Sequence, residues 1–284
     1  MVDWTNASAT APAPTATRAG VLRPDQLAAH VRLDRAPAAP EVATWVENHW
    51  SLEWDLPAGA AYLSSTLPHP ACNLTVERGA GRAEVGDDPV VVTGVPTRRF
   101  DVTILGRGWV HGVKFRPGGL AALTGIHARE LRNRTVPASE VLPERAVATL
   151  RTLGPGIPPD ECRATFDAAL GALAGPADAD YDAVLEVVAA MLADRSMVRV
   201  AQVESVSGFG TRSLQRLFAR YVGVSPKWVL ARYRMHDVVG ALDDGYAGSL
   251  ADLAAEHGWF DQAHFTREFT TLVGVPPGEY RRHV

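Results

Sequence analysis

The sequence predicts two domains of different class. An α+β N-terminal domain, built as an antiparallel sheet or small barrel plus helices, precedes an all-α domain with two helix-turn-helix units. Three observations predict this. Short runs with period-2 alternation and turn residues between them fill the stretch up to residue 116. At Pro117-Gly118-Gly119 the apolar spacing changes to that of helices. From near Met197 the chain repeats itself.

Composition limits the alternatives. A chain of 284 residues accommodates about two domains. Two cysteines, Cys72 and Cys162, exclude a disulfide scaffold and any four-cysteine zinc site, including the one that alkyl-transfer repair would need. Cys72 reads as a small buried hydrophobe rather than a redox sensor. No apolar run is long enough for a membrane span, and the N-terminus lacks the pattern of a secretory leader. A cytoplasmic location is therefore expected.

The Ala, Thr and Pro of residues 1–20 predict a disordered tail. Domain boundaries follow at 21–193 and 194–284. After Pro40, the spacing of Val42, Trp45, Val46 and His49 predicts a short helix ending near Trp50. Asn73–Glu77, Val90–Thr93, Arg99–Leu105 and Trp109–Arg116 alternate as strands. On the last of these, His111, Val113 and Phe115 oppose Val110, Gly112, Lys114 and Arg116. Leu120, Leu123 and Ile126 mark a helix, as do Ala138–Leu153, Asp160–Leu173 and Asp180–Leu192.

The C-terminal repeat carries the most information. Leu214-Gln215-Arg216-Leu217-Phe218 before Val222-Gly223-Val224-Ser225-Pro226 returns as Phe265-Thr266-Arg267-Glu268-Phe269 before Val273-Gly274-Val275-Pro276-Pro277, at an offset of 51 residues. Each copy has a short apolar helix that stops at a glycine, Gly208 or Gly258, where a C-cap needs positive φ. A turn and a second helix follow. This predicts helix-turn-helix units at about 198–222 and 249–273, joined by a helix at about 226–242 that Pro226 opens. Asp261 is a good N-cap for the second unit, and Gly210 a weaker one for the first. In such units the second helix enters the major groove. On the first, Leu214, Leu217, Phe218 and Tyr221 form the buried stripe, leaving Arg212, Gln215, Arg216 and Arg220 off it. On the second, Phe265 and Phe269 are buried, while Gln262, Ala263, Thr266 and Arg267 face outward. Arg suits guanine and Gln suits adenine.

Residues 197–284 resemble the DNA-binding domain of the AraC/XylS family of bacterial transcription regulators. The repeat above carries the resemblance, with Gly258-Trp259-Phe260-Asp261-Gln262-Ala263-His264-Phe265, Arg267, Phe269 and Tyr280-Arg281. Two positions depart from the family pattern: Gly210 stands for the usual serine, and Gly258-Trp259 for the usual Gly-Phe. The resemblance implies a domain that reads two successive major grooves of promoter DNA. Arg212, Gln215 and Arg216 would read the first, and Gln262, Ala263, Thr266 and Arg267 would read or flank the second. Arg281 and Arg282 would touch phosphate rather than bases, and Arg220 and Lys227 complete the DNA-binding candidates. The competing role for these arginines is an ion pair with a neighbouring acid, and acids are sparse around Arg216. His264 reads as structural.

Trp45–Trp54, Pro68–Asn73 and Val110–Gly119 resemble an uncharacterised sensor-type domain found ahead of AraC-type readers in actinobacterial proteins. Trp45, Trp50, Trp54 and Trp109 could form core or line an apolar effector pocket. The ligand-binding candidates are Trp50, Trp54, Asn73, Arg99, Trp109, His111 and Lys114. Metal-ligand spacing, a phosphate loop and a nucleophile turn are all missing from the sequence, so no enzyme activity, metal or cofactor is expected. The expected function is a DNA-binding regulator whose N-terminal domain senses a small molecule. The alternative is an N-terminal module for dimerisation or protein interaction only. The expected partners are promoter DNA, an effector, a second copy of the chain, and RNA polymerase if it activates.

The net charge of −4 conceals an asymmetry. Residues 1–194 sum to −6 and residues 195–284 to +2. Between Glu204 and Asp237 stand Arg212, Arg216, Arg220, Lys227, Arg232 and Arg234, with no acid. The first unit therefore supplies most of the expected phosphate attraction.

Overall fold

The computed structural model describes residues 20–79, 86–194 and 196–283. The tail expected over residues 1–20 lies outside the described residues except for Gly20. Chain order gives α1 (Pro24–Ala28), β1 (Val31–Pro37), β2 (Val46–Asp55), β3 (Ala61–Thr66), β4 (Asn73–Arg78), β5 (Val90–Thr93), β6 (Phe100–Leu105) and β7 (Arg107–Phe115). Next come α2 (Gly119–Thr124), α3 (Ala128–Leu131), β8 (Thr135–Pro137), α4 (Glu144–Arg151), α5 (Pro159–Gly171) and α6 (Ala179–Ala193). The C-terminal helices are α7 (Val200–Ser207), α8 (Thr211–Tyr221), α9 (Pro226–Asp243), α10 (Leu250–Glu256), α11 (Gln262–Val273) and α12 (Pro277–Tyr280).

Six strands form one antiparallel sheet in the order β1-β2-β7-β4-β5-β8, and β3 pairs with β6 in a second. Side chains alternate between sheet faces, so each strand of the large sheet serves two environments. Leu74, Val76, Val92, Val113 and Phe115 are buried in a core that continues through α4, α5 and α6. Trp54, Val110 and the β6 residue Ile104 belong to a separate cluster between the two sheets.

The helix expected over 42–50 is a correction. A single i→i−4 bond, Val46 N to Val42 O at 2.9 Å, closes one turn, and β2 then begins at Val46. Pairing with both β1 and β7 overrides the helical spacing. Residues 138–153 are likewise broken. A short 3-10 turn at Ala138–Glu140 precedes Pro143, which stands at the N-cap of α4.

The helical half is arranged as its spacing predicts. Gly208 (φ 71°) ends α7, and Gly258 (φ 77°) lies in the turn after α10. Ser225 caps the 18-residue α9, accepting from Trp228 N at 3.2 Å. α6 packs against α7 and α8, and thus joins the C-terminal helices, although Tyr181 on it donates to Thr44 O at 2.8 Å in the N-terminal half. The two halves meet along several seams. Leu22 and Leu67 pack into the core of the second unit, and Arg99 donates to Val273 O at 2.7 Å.

Candidate DNA-reading helices and interdomain cavity

The first reading helix, α8, buries Leu214, Leu217, Phe218 and Tyr221. Arg212, Gln215, Arg216 and Arg220 are exposed on its other side. Its N-cap, Gly210, has no side chain to accept from the first turn. Arg216 has an acidic neighbour that its local sequence did not reveal: Asp180 on α6, at 3.4 Å. Asp178 on the same turn accepts from Tyr221 Oη at 2.7 Å, so α6 steadies the back of the reading helix. Arg220 lies over the Tyr221 ring, and Lys227 is exposed at the start of α9.

The second reading helix, α11, buries Phe265, Phe269, Leu272 and Val273. Gln262, Ala263 and Arg267 are exposed and Thr266 half-buried. Asp261 caps it, accepting from His264 N at 2.6 Å. Arg281 donates to Gly248 O at 2.9 Å while remaining exposed.

Two of the six cations in the acid-free stretch serve structure. Arg232 is buried and pairs with Glu268 at 3.0 Å; burial draws its pKa down to about 10 despite that partner. Arg234 donates to Gly258 O at 3.0 Å and stacks on Trp259, with its guanidinium 4.4 Å from the ring centre. Glu268 also accepts from Trp259 Nε1 at 2.9 Å. The surface charge of the first unit is thus Arg212, Arg216, Arg220 and Lys227.

Between the two sheets lies a cavity of about 220 Å³. Leu33, Leu52 and Val110 line it from the large sheet, and Phe100, Val102 and Ile104 from β6. Trp50, Trp54, Asn73 and Lys114 are part of its lining. Trp50 Nε1 donates to Asn73 Oδ1 at 3.1 Å, and Trp54 Nε1 to Leu105 O at 3.1 Å. Lys114 donates to Glu47 at 2.7 Å and lies 3.4 Å from His69 Nε2. Burial, the Lys114 ammonium and His236 hold the His69 pKa well below its ordinary value. Asn48 is 3% exposed, and its Oδ1 has no hydrogen-bond partner among the described residues.

Three of the sequence-derived ligand candidates lie elsewhere. Trp109 and His111 have the opposite parity to Lys114 on β7 and face the α5 side. There His111 stacks on Phe166, with centroids 5.4 Å apart, and burial beside His49 lowers its pKa to about 4. Arg99 holds Asp101 at 2.8 Å and the C-terminal end of α11, outside the cavity lining. In their place the cavity gathers Arg35, Glu47, Asn48, His69, Thr75 and Glu77. Strand parity with Trp50 and Asn73 could have found Asn48, Thr75 and Glu77.

The cavity also takes one residue from the helical half. His236, on α9 between the two units, lines it. Its Nε2 is bonded to Pro68 O at 2.9 Å, and its ring lies 5.4 Å from His69.

Residues 203–283 match a family model described as a helix-turn-helix domain, of AraC type. The C-terminal part of the chain is thus an AraC-type helix-turn-helix domain. Residues 34–137 match a second model, described as a domain of unknown function (DUF6597). Solved structures of low identity are also similar. ToxT from Vibrio cholerae is 11% identical over 90% of this chain and 99% of its own, with a TM-score of 0.43. A ToxT structure bound to (E)-4-(8-methylnaphthalen-1-yl)but-3-enoic acid is 10% identical over 89% and 99%, also at 0.43. The AraC-like transcriptional activator CuxR is 14% identical over 76% and 87%, at 0.23. No curated protein sequence matches the chain. Among the described residues, no helix is long and apolar enough to cross a membrane.

Proposed function

We propose that this AraC-like regulator senses a small molecule in the interdomain cavity and reads promoter DNA with α8 and α11. The observation that carries the sensing role is His236: one cavity is walled by both sheets and by the helix that joins the two reading units. An occupant that prefers one arrangement of these walls would shift the population of DNA-competent states. The lining favours a compact molecule. Its apolar body would lie against Trp50, Trp54 and Leu52, and its polar end would donate to Asn48 near the Lys114–Glu47 pair.

On the DNA side, Arg212, Gln215 and Arg216 are assigned to the first groove. Gln262, Ala263, Thr266 and Arg267 are assigned to the second, and Arg220, Lys227 and Arg281 to phosphates. A compound screen by thermal shift tests the sensing role, because a ligand of the native state raises the melting temperature. A ligand should stabilise the wild type and fail on Ser64→Phe, which fills the cavity from the β3 wall. Equal stabilisation of both proteins would place the ligand elsewhere.

A second reading, an N-terminal module for self-association, draws support from Leu63 and Leu105. They are 52% and 56% exposed on the outer face of the β3–β6 sheet. If the chain sediments as a dimer and Leu63→Glu with Leu105→Glu makes it a monomer, that face is the interface. Unchanged sedimentation would remove this reading.

A further inference from the structure

Phe260 is 98% exposed, the most exposed large hydrophobic side chain among the described residues. Its position makes this informative. It stands one residue before Asp261, the N-cap of α11. A hydrophobe there commonly packs on the residue at the fourth position of the helix, which here is Phe265. That contact is absent. Phe265 is fully buried against Trp259, with ring centres 5.3 Å apart, and Phe260 points away from both. The local structure therefore gives Phe260 nothing to cover it.

The surface continuous with Phe260 is the N-terminal turn of α11, the end of a reading helix that enters the groove. Its exposed neighbours are Gln262 and Ala263. Gln pairs with adenine N6 and N7, while Ala and Phe make apolar contact with the thymine methyl. The same turn of the first unit offers Arg212 instead, with Arg216 one turn on, and arginine is suited to guanine.

We infer that Phe260 is a specificity residue that packs against a thymine C5-methyl, so that the second unit reads A·T pairs and the first reads guanine. The inference rests on the assignment of α11 as the second reading helix.

The test uses the full chain and a duplex selected by it from a random pool. Each thymine is then replaced in turn by deoxyuridine, which removes only the methyl. One or two replacements in the half-site read by α11 should weaken binding about fourfold, as expected for one methyl returned to water. Phe260→Ala should bind the parent duplex about tenfold more weakly, and those same replacements should no longer matter to it. Phe260→Leu, still apolar, should keep the sensitivity. The melting temperature should not move in either variant, since the side chain covers nothing.

If wild type and Phe260→Ala give the same deoxyuridine profile, the inference is overturned. It is also overturned if Phe260→Ala binds DNA normally but loses self-association or polymerase contact, because Phe260 would then meet a protein. Arg267→Ala separates this failure from that of the assignment beneath it. If it weakens binding while the profiles match, α11 still reads DNA without Phe260. If neither variant affects binding, α11 is not a reading helix.

Discussion

The two helix-turn-helix units share a frame and differ in what they present. At repeat-equivalent positions, Leu214, Leu217 and Phe218 of α8 stand opposite Phe265, Glu268 and Phe269 of α11. The aromatic and aliphatic members bury the same stripe in both. At the middle position the first unit buries Leu217, whereas the second places Glu268, which holds Arg232 and Trp259. The first unit spends its cations on the surface, and its α8 lacks a side-chain cap. The second is capped by Asp261, carries Asp252 and Glu256 on α10, and opens on the neutral Phe260, Gln262 and Ala263. Duplication kept the packing code and let the solvent face diverge. The first unit presents the more cationic surface and the second the more neutral one.

The comparison breaks most sharply at position 268. Glu268→Ala leaves the buried Arg232 guanidinium without its carboxylate, a loss of about 3–5 kcal/mol by analogy with broken buried pairs. Thermal unfolding should show a large drop in melting temperature. Glu268→Gln, which can still accept a hydrogen bond, should lose less. An unchanged melting temperature in Glu268→Ala would mean that the second unit does not depend on its polar hub.

Next in size is base reading. Arg216→Ala should weaken binding to the selected duplex by about 1–3 kcal/mol while sparing random DNA. Asp180→Ala should leave reading intact or strengthen it slightly, because Arg216 loses only a half-exposed partner. Tighter dependence on Asp180 than on Arg216 would show the pair to be structural. The smallest effects belong to the caps. Asp261→Ala should cost about 1 kcal/mol of stability, and Gly210→Ser should add a few tenths of a kcal/mol. Both are readable as melting shifts, and a larger shift at Gly210 would contradict an open first turn.

The division of the chain was legible because periodicity changes sharply at Pro117-Gly118-Gly119 and because the repeat is nearly free of insertions. Residues 42–50 were misread because Val42, Trp45, Val46 and His49 fit a helical spacing by coincidence. Only the pairing of β2 with two neighbours decides the matter, and that is tertiary. β1 and β3 escaped notice because Val31–Pro37 and Ala61–Thr66 carry too few buried residues to stand out. In the cavity, Trp50, Trp54, Asn73 and Lys114 were accessible to sequence reasoning. Trp109 and His111 were not separable from Lys114 by residue type, although alternation along β7 already placed them on the opposite face. His236 could not have been found: nothing in α9 marks the residue that touches the N-terminal half. The charge of Arg232 and Arg234 was over-counted for DNA, because only the fold shows them buried against Glu268 and Trp259.

The salt dependence of DNA binding tests the division between the two units most directly. Each phosphate contact contributes about 0.9 to the slope of log K against log salt. Removing Arg220 and Lys227 together by alanine should flatten that slope by about two units. Removing Arg267 alone should lower affinity for the selected site with little change in slope. A slope unchanged in the Arg220/Lys227 variant would contradict the assignment of charge attraction to the first unit.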